Sequence, residues 1–247
     1  LFLVINFIDV KWVWFGFHIS NGFDLKSFVH EGTGYLLASL MLSIVLVLYF
    51  FKQNLNFFPK NMWLKRLAYI WIVQNVILTI SVFIRTIHYV SFHGLASLRI
   101  GLMIFLLLVL FGLVTLTIKI KQQRNLAYIL RMNSAFILGT LMFTSCLPWD
   151  KIILNHNLTH GNINEIDVDN YLNMSTAIYP LVYANLNVIE KQINAHQRNK
   201  VRWISYGNIE SFKKVLDNRK ELFLEKESRE KIWSWNFSEA NAVRELL

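Results

Sequence analysis

Four long apolar segments are the feature that most limits how this chain can fold. They lie at about 34–51, 67–87, 97–118 and 126–147. Each holds roughly 18 or more mostly apolar residues, the length that a helix needs to cross a bilayer. A fifth apolar run, 1–17, is interrupted by Asp9 and Lys11, so it is either a span or an interfacial helix. The chain opens inside this run without Met, and we expect it to be the later part of a longer protein.

The composition is that of a membrane protein. Hydrophobic residues make up 54% of the 247 residues and aromatic residues 15%, which is too apolar for an ordinary soluble domain. The net charge of +9 belongs to residues 1–147, which carry 12 Lys and Arg against 3 Asp and Glu, while residues 148–247 carry 13 of each. Because a nucleic-acid binder needs its basic patch on a folded surface, we expect no nucleic-acid partner. The single cysteine, Cys146, excludes an internal disulfide framework.

We therefore predict an all-α fold with two domains. Residues 1–147 form a polytopic membrane helix bundle of four spans, or five if 1–17 crosses, and residues 148–247 form a helical, charge-balanced extramembrane tail. In the tail, Asp167 or Asp169 is a candidate N-cap, and Pro180 should break or kink the helix that follows. A second tail helix should start after Asn208. Its apolar stripe is predicted to hold Ile209, Phe212, Val215, Leu216, Leu222 and Phe223.

The short loops predict the orientation. Loops 52–66 and 119–131 together carry eight Lys and Arg and no Asp or Glu. The positive-inside rule then makes loops 52–66 and 119–125 cytoplasmic and puts the tail outside the cytoplasm. All seven histidines fall on the predicted outer side. Two tryptophans near the end, Trp233 and Trp235, either anchor at the headgroups or pack in a core.

Polar residues inside and beside the spans form the candidate ligand site. On a helix, Gln74, Ser81, Arg85 and His88 share one face, and polar side chains at that depth should face the bundle interior. The residues that we expect to bind an anion or a lipid headgroup are Arg85, His88, His93, Arg99, His30, Glu31, Gln74 and Asn75. Arginine suits phosphate and carboxylate because its guanidinium donates two parallel hydrogen bonds. The alternative is structural, with the amides joining helices and the arginines extending to headgroups.

Other chemistry has little support. His88 and His93 are five residues apart, and His30 and Glu31 are adjacent, so neither pair has the i, i+4 spacing of helical zinc ligands. The stretches "HISNG" and "MSTA" are not nucleophile elbows, and no phosphate-binding glycine loop occurs. We therefore predict no catalytic residue, no metal site and no cofactor.

Five stretches carry a resemblance to a family. They are "FVHEGTGYLLASLMLSIVL" (28–46), "RTIHYVSFHGLASLRIGLM" (85–103), "LPWDKIILNHNL" (147–158), "DNYLNMSTAIYPLVY" (169–183) and "WSWNFSEANAV" (233–243). Together they resemble the C-terminal half of the bacterial domain-of-unknown-function families 4153 and 4173. The resemblance implies a bacterial inner-membrane protein with many spans and offers no active-site residues. The family turn maps to Tyr89, His93-Gly94-Leu95-Ala96 and Arg99, with Ala96 in place of a hydroxyl residue.

Three functions remain open at this point. The first is a non-enzymatic scaffold, sensor or partner-binding membrane subunit that uses the 148–247 tail. The second is a transporter or a protein that binds anions or lipid headgroups through Gln74, Arg85 and Arg99. The third is a membrane enzyme that acts on lipid or cell-envelope intermediates. Apart from the lipid bilayer and a protein bound by the tail, the sequence indicates no partner, and it leaves the oligomeric state open.

Overall fold

The computed structural model describes residues 2–15, 25–50, 62–160, 166–198, 208–229 and 236–247. Within these ranges every regular element is a helix and no strand occurs, so the predicted all-α fold is confirmed. The first helices are α1 (Phe2–Asp9, continued by a π-helical turn Val10–Trp14), α2 (Leu25–Phe50), α3 (Met62–His93), α4 (Ser97–Gln122) and α5 (Leu126–Ser145). The later helices are α6 (Trp149–Thr159), α7 (Asp169–Leu172), a 3-10 turn (Thr176–Ile178), α8 (Tyr179–Ala184), α9 (Leu186–Arg198), α10 (Ile209–Arg229) and α11 (Phe237–Leu246).

The chain divides into two compact units. The first, which we call the bundle unit, contains residues 1–89 and 98–147, and the second, the tail unit, contains residues 90–97 and 148–247. The predicted roles of residues 1–147 as a membrane domain and 148–247 as an extramembrane domain stay predictions. The short 90–97 segment groups with the tail although it joins α3 to α4.

Three helices in the described part of the chain, α3, α4 and α5, are long and apolar enough to cross a membrane. In α2, where the sequence predicts a span at 34–51, the described residues include the apolar helical segment Leu36–Leu46. Both α3 and α4 extend beyond the predicted limits of 67–87 and 97–118. The predicted count of four spans is therefore approximate.

The predicted loop 119–125 is mostly helical. Lys119 and Lys121 belong to α4, and Lys119 is only 1% exposed. The helix continues because nothing in "TIKIKQ" stops it, and the chain turns only at Gln123, which adopts a left-handed φ of 51°. The turn is short because Asn125 starts α5 directly, accepting a hydrogen bond from the Tyr128 amide at 3.0 Å.

The bundle core is built by α2, α3, α4 and α5. Its buried residues are Leu40, Ala68, Ile72, Leu78, Val109, Leu113, Leu116, Ile120 and Ile129. Helix α5 adds little to this core. It contacts α4 through stacked Phe111 and Phe136 rings, 3.8 Å apart, and leaves side chains such as Leu138 and Phe143 exposed. Such a surface suits lipid rather than water.

The tail unit has a separate core to which α6 to α11 contribute. Its central side chains include Leu154, Tyr171, Ile189 and Phe212, all fully buried. Because this core is as apolar as that of a soluble domain, the tail folds around its own interior.

Several predictions about the tail can be checked. The Asn208 cap is confirmed, since its Oδ1 accepts the Ser211 amide at 2.8 Å. In the stripe of α10, Phe212, Leu216 and Phe223 are buried, but Leu222 is 58% exposed, so its assignment was wrong. It lies on the polar side because six residues separate it from Leu216, which is not a whole number of turns.

The N-terminal cap of α7 and the proline break can also be checked. The N-cap of α7 is Val168, with neither aspartate in the cap position: Asp169 is the first helical residue, and Asp167, one residue before the cap, accepts the Asn170 amide at 3.3 Å. Pro180 lies in the first turn of α8, directly after the 3-10 turn, so the predicted break occurs there. Trp233 and Trp235 lie outside the described residues.

Candidate functional site

Three of the eight predicted site residues are buried in the bundle unit. Gln74, Asn75 and Arg85 lie on α3 and are 9%, 2% and 8% exposed. These polar side chains of α3 are therefore turned away from the surface of the bundle unit, as their spacing predicted. Their role as ligand-binding residues stays a prediction.

The polar face of α3 is joined to neighbouring helices. Asn6 of α1 donates its side-chain N–H to the backbone carbonyl of Gln74 at 3.1 Å. The indole N–H of Trp14 donates to Ser81 Oγ at 2.9 Å, and that of Trp71 donates to Ser43 Oγ. Bonds of this kind are expected if the polar side chains serve to hold membrane helices together, which is the alternative to a ligand site.

The other predicted site residues are distributed along the chain. The Arg99 guanidinium carbon lies 4.5 Å from the centre of the Tyr89 ring, a cation–π contact between the start of α4 and α3. His88 and His93 are half-buried near the end of α3, with His93 in the tail unit. His30 and Glu31 lie in α2, but their side chains are outside the described part of the structure, as is His18.

The most specific polar contact in the tail unit involves the 90–97 segment. The Asn157 side chain on α6 bonds both backbone groups of Leu95. Its Oδ1 accepts the Leu95 amide at 2.6 Å and its Nδ2 donates to the Leu95 carbonyl at 2.9 Å. We call this pair of bonds the Asn157 clamp. An amide side chain is suited to it because it offers one donor and one acceptor in a plane.

Gly94 makes the Asn157 clamp possible. It ends α3 with a φ of 75°, a left-handed conformation that glycine adopts without steric penalty. A Cβ atom at this position would lie 2.8 Å from Asn157 Oδ1 and 3.1 Å from Asn157 Cγ. The backbone and the amide can therefore approach this closely only if residue 94 lacks a side chain.

A buried relay continues from the clamp into the tail core. Gln192 of α9 donates to the Asn157 backbone carbonyl at 3.3 Å and accepts from the Tyr171 hydroxyl, also at 3.3 Å. Asn157, Gln192 and Tyr171 are 4%, 1% and 0% exposed. Burial raises the pKa of Tyr171 well above its ordinary value; the bond with Gln192 opposes this, and the charge of Asp167 adds to it. The phenol therefore stays protonated and acts as a donor.

The hydroxyl residues of "MSTA" have structural partners. Ser175 donates its amide to Asp150 Oδ2 at 2.9 Å and uses its own Oγ to accept the Ala177 amide. Thr176 donates to Glu239 Oε1 at 3.1 Å. None of these contacts pairs a hydroxyl with a histidine base, so they do not form the arrangement that nucleophilic catalysis needs.

Not all of these contacts could be predicted from the sequence. Asn6 could have been found, since it is the polar residue within the apolar run "FLVINFI". Asn157 and Gln192 could not have been found in this way. Asn157 bonds the backbone of Leu95, and Gln192 bonds a backbone carbonyl and the Tyr171 hydroxyl, all at large separations along the chain. The Asn157 clamp, for example, joins positions 62 residues apart.

The comparison with protein families bears on this arrangement. Residues 1–185 match the family described as "Domain of unknown function (DUF4153)". The chain belongs to this family. The resemblance to family 4173 is not part of that match and stays a resemblance. No curated protein matches the chain, and neither does any solved structure.

Three of the stretches that resemble the family contribute residues to the clamp and the relay. The Gly94-Leu95 turn, the "LNHNL" stretch with Asn157 and the "DNYL" stretch with Tyr171 lie far apart in sequence. In the tail unit they are linked by the clamp and the relay. The stretches 85–103, 147–158 and 169–183 therefore each contribute to one buried polar network, in which Gln192, outside the matched residues, links Asn157 to Tyr171.

Proposed function

We propose that this DUF4153 protein is a non-enzymatic, multi-pass subunit of the bacterial inner membrane whose folded tail binds a protein partner as a scaffold or sensor. The observation that carries the proposal is the Asn157 clamp. The clamp connects α6 of the tail unit to the backbone that joins α3 to α4, so the tail is linked to the chain at a second point besides its own covalent attachment after α5.

The clamp offers a physical route for sensing. The 90–97 segment is continuous with α3 and with α4, and two side-chain bonds tie it to α6. A partner that shifts α6 would change the geometry of those bonds and so act on the ends of two spans. Each buried bond that is lost costs about 1 to 3 kcal/mol, enough to bias an equilibrium between two conformations.

The exposed side of α10 supports partner binding. It presents Lys213, Lys214 and Asn218 to solvent, together with Glu221 and the exposed apolar Leu222. Mixed charges around an apolar side chain suit a polar-rimmed protein contact.

Site-specific photo-crosslinking in cells tests partner binding. A photoreactive residue at position 213, 218 or 222 should yield a discrete protein adduct. The same residue at position 138, on the exposed apolar face of α5, is the control and should give none of that adduct. Absence of a discrete adduct from all three tail positions, with the chain present in the membrane, would contradict the proposal.

The proposed orientation places loops 52–66 and 119–125 in the cytoplasm and the tail outside it. It is supported by the eight Lys and Arg of residues 52–66 and 119–131. Single cysteines at positions 58, 122, 91 and 220 in a Cys146→Ser background test it with an impermeant thiol reagent on intact cells. Labelling at 91 and 220 but not at 58 and 122 is expected, and the reverse pattern would reverse the orientation.

Transport is the second candidate function. It is favoured by two acceptor oxygens, Asn6 Oδ1 and Asn75 Oδ1, which are buried and have no hydrogen-bond partner among the described residues. Acceptors of this kind could bind a passing solute or water. Flux assays in liposomes with Gln74→Ala and Arg85→Ala test this function, and unchanged flux of every solute that the wild type transports would remove it.

A further inference from the structure

Two histidines lie four residues apart at the end of α6, His156 within the helix and His160 as the residue that directly follows it. His156 is half-buried and His160, at the C-terminal end of the helix, is exposed. Their rings are 5.5 Å apart between centroids with planes at 24°. Histidines at i and i+4 share one helix face, and this is the spacing at which two imidazoles can bind one metal ion. Neither the His88 and His93 pair nor the His30 and Glu31 pair has this spacing.

The hydroxyl of Thr159 lies beside the His160 ring. Its Oγ1 is 2.6 Å from His160 Nδ1, and it donates to the Asn155 carbonyl at 2.8 Å. With its proton on that carbonyl, the hydroxyl oxygen is an acceptor for Nδ1–H, and this tautomer of His160 leaves the Nε2 lone pair available to a metal ion.

A second oxygen lies beside His156. The His156 Nδ1 is 3.4 Å from Asn157 Oδ1, a long contact. The Asn157 amide is oriented by Leu95, whose N–H donates to this same oxygen. An amide oxygen can only accept, so it is a partner for the His156 tautomer that has its proton on Nδ1 and its lone pair on Nε2.

We propose that His156 and His160 form a two-histidine site for a divalent transition-metal ion, bound through both Nε2 atoms. Neutral imidazoles whose Nδ1–H groups are held by oxygen acceptors are the form in which histidine binds metals in proteins. Thr159 and Asn157 supply those acceptors.

The composition of the site determines which ions it takes. Among the described residues no group of three or more His, Cys, Asp and Glu side chains could hold a metal ion, and the proposed site uses the two imidazoles as its protein ligands. Imidazole suits Cu²⁺, Ni²⁺ and Zn²⁺, with Cu²⁺ the tightest, whereas Mg²⁺ and Ca²⁺ prefer oxygen ligands. The site depends only on α6 and is independent of partner binding by the tail.

Titration of the purified full chain, without a polyhistidine tag, tests the proposal. In lipid nanodiscs the metal-free protein should bind one Cu²⁺ more tightly than Zn²⁺, measured by competition with a chromophoric chelator. His156→Gln and His160→Gln should each weaken binding at least tenfold. His196→Gln is the matched control and should leave the affinity unchanged. Circular dichroism should be the same for all variants.

A third variant tests the role of the oxygen acceptors. Thr159→Val removes the acceptor of His160 without removing a ligand, and changes of this kind cost about 10- to 100-fold in metal affinity. Equal affinity of the wild type and both histidine variants would overturn the proposal, as would failure of the wild type to bind Cu²⁺. Unchanged affinity of Thr159→Val would overturn the assigned role of Thr159.

Discussion

The bundle unit and the tail unit use buried amide side chains in different ways. In the bundle, Asn6 makes a single bond to the Gln74 carbonyl, and its own oxygen accepts none from the described residues. In the tail, Asn157 bonds both backbone groups of Leu95 and is connected through Gln192 to Tyr171. A single amide bond holds two helices near each other, whereas a connected network fixes one backbone segment in one conformation.

The largest predicted effect concerns the apolar core of the tail unit. Phe212→Ala should destabilise the tail unit by about 3 to 5 kcal/mol, because it empties a fully buried position. Leu222→Ala on the same helix is the matched control and should change stability by less than about 0.5 kcal/mol. Both changes in stability can be measured by unfolding the protein in denaturant and monitoring the tail through hydrogen exchange of its peptides. Equal effects would show that α10 does not pack as described.

Gly94→Ala should have the next largest effect. It places a Cβ atom 2.8 Å from Asn157 Oδ1 at a φ of 75°, so the strain and a lost bond together should cost roughly 2 to 4 kcal/mol in the tail unit. Gly101→Ala in α4, where a Cβ meets nothing within 4 Å, should be neutral or slightly stabilising. Hydrogen exchange of the tail distinguishes them. A Gly94→Ala protein as stable as wild type would contradict the clamp geometry.

Asn6→Ala in the bundle should have a smaller effect. Interhelical hydrogen bonds within membranes contribute about 0.6 kcal/mol on average, and this variant also removes a buried oxygen that accepts no bond from the described residues. Unfolding of the bundle in mixed micelles measures the change, with Leu3→Ala, at an exposed position of α1, as the control. A loss above about 2 kcal/mol would show that single bonds in the bundle matter as much as the relay in the tail.

The smallest effect concerns alkaline pH. Burial raises the pKa of Tyr183 well above its ordinary value, and its hydrogen bond to Asp217 Oδ1, 2.6 Å long, acts in the same direction. Because the unfolded phenol loses its proton first, this contribution to tail stability is full below pH 10 and falls as the pH rises above it. Tyr183→Phe should reduce that slope in unfolding measurements between about pH 9 and 11. An unchanged slope would contradict the assignment.

The sequence allowed the helices to be predicted better than the contacts between them. Apolar length identified α3, α4 and α5, and Asn208 marked the start of α10, because both signals are local. The helices α3 and α4 are longer than the apolar spans predicted within them, because polar residues such as Lys119 continue a helix beyond its apolar part. The Asn157 clamp had no sequence signal, because its partner is the backbone of Leu95 and every residue has a backbone amide and carbonyl.

Amide exchange at Leu95 tests the Asn157 clamp most directly. The full chain in nanodiscs is compared as wild type, Asn157→Ala and the matched control Asn155→Ala, an exposed position on the same helix. Because the Leu95 amide donates to Asn157 Oδ1 at 2.6 Å, Asn157→Ala should speed its exchange about tenfold or more, while Asn155→Ala should not change it. Equal exchange at Leu95 in all three proteins would contradict the claim that the tail holds the backbone between α3 and α4.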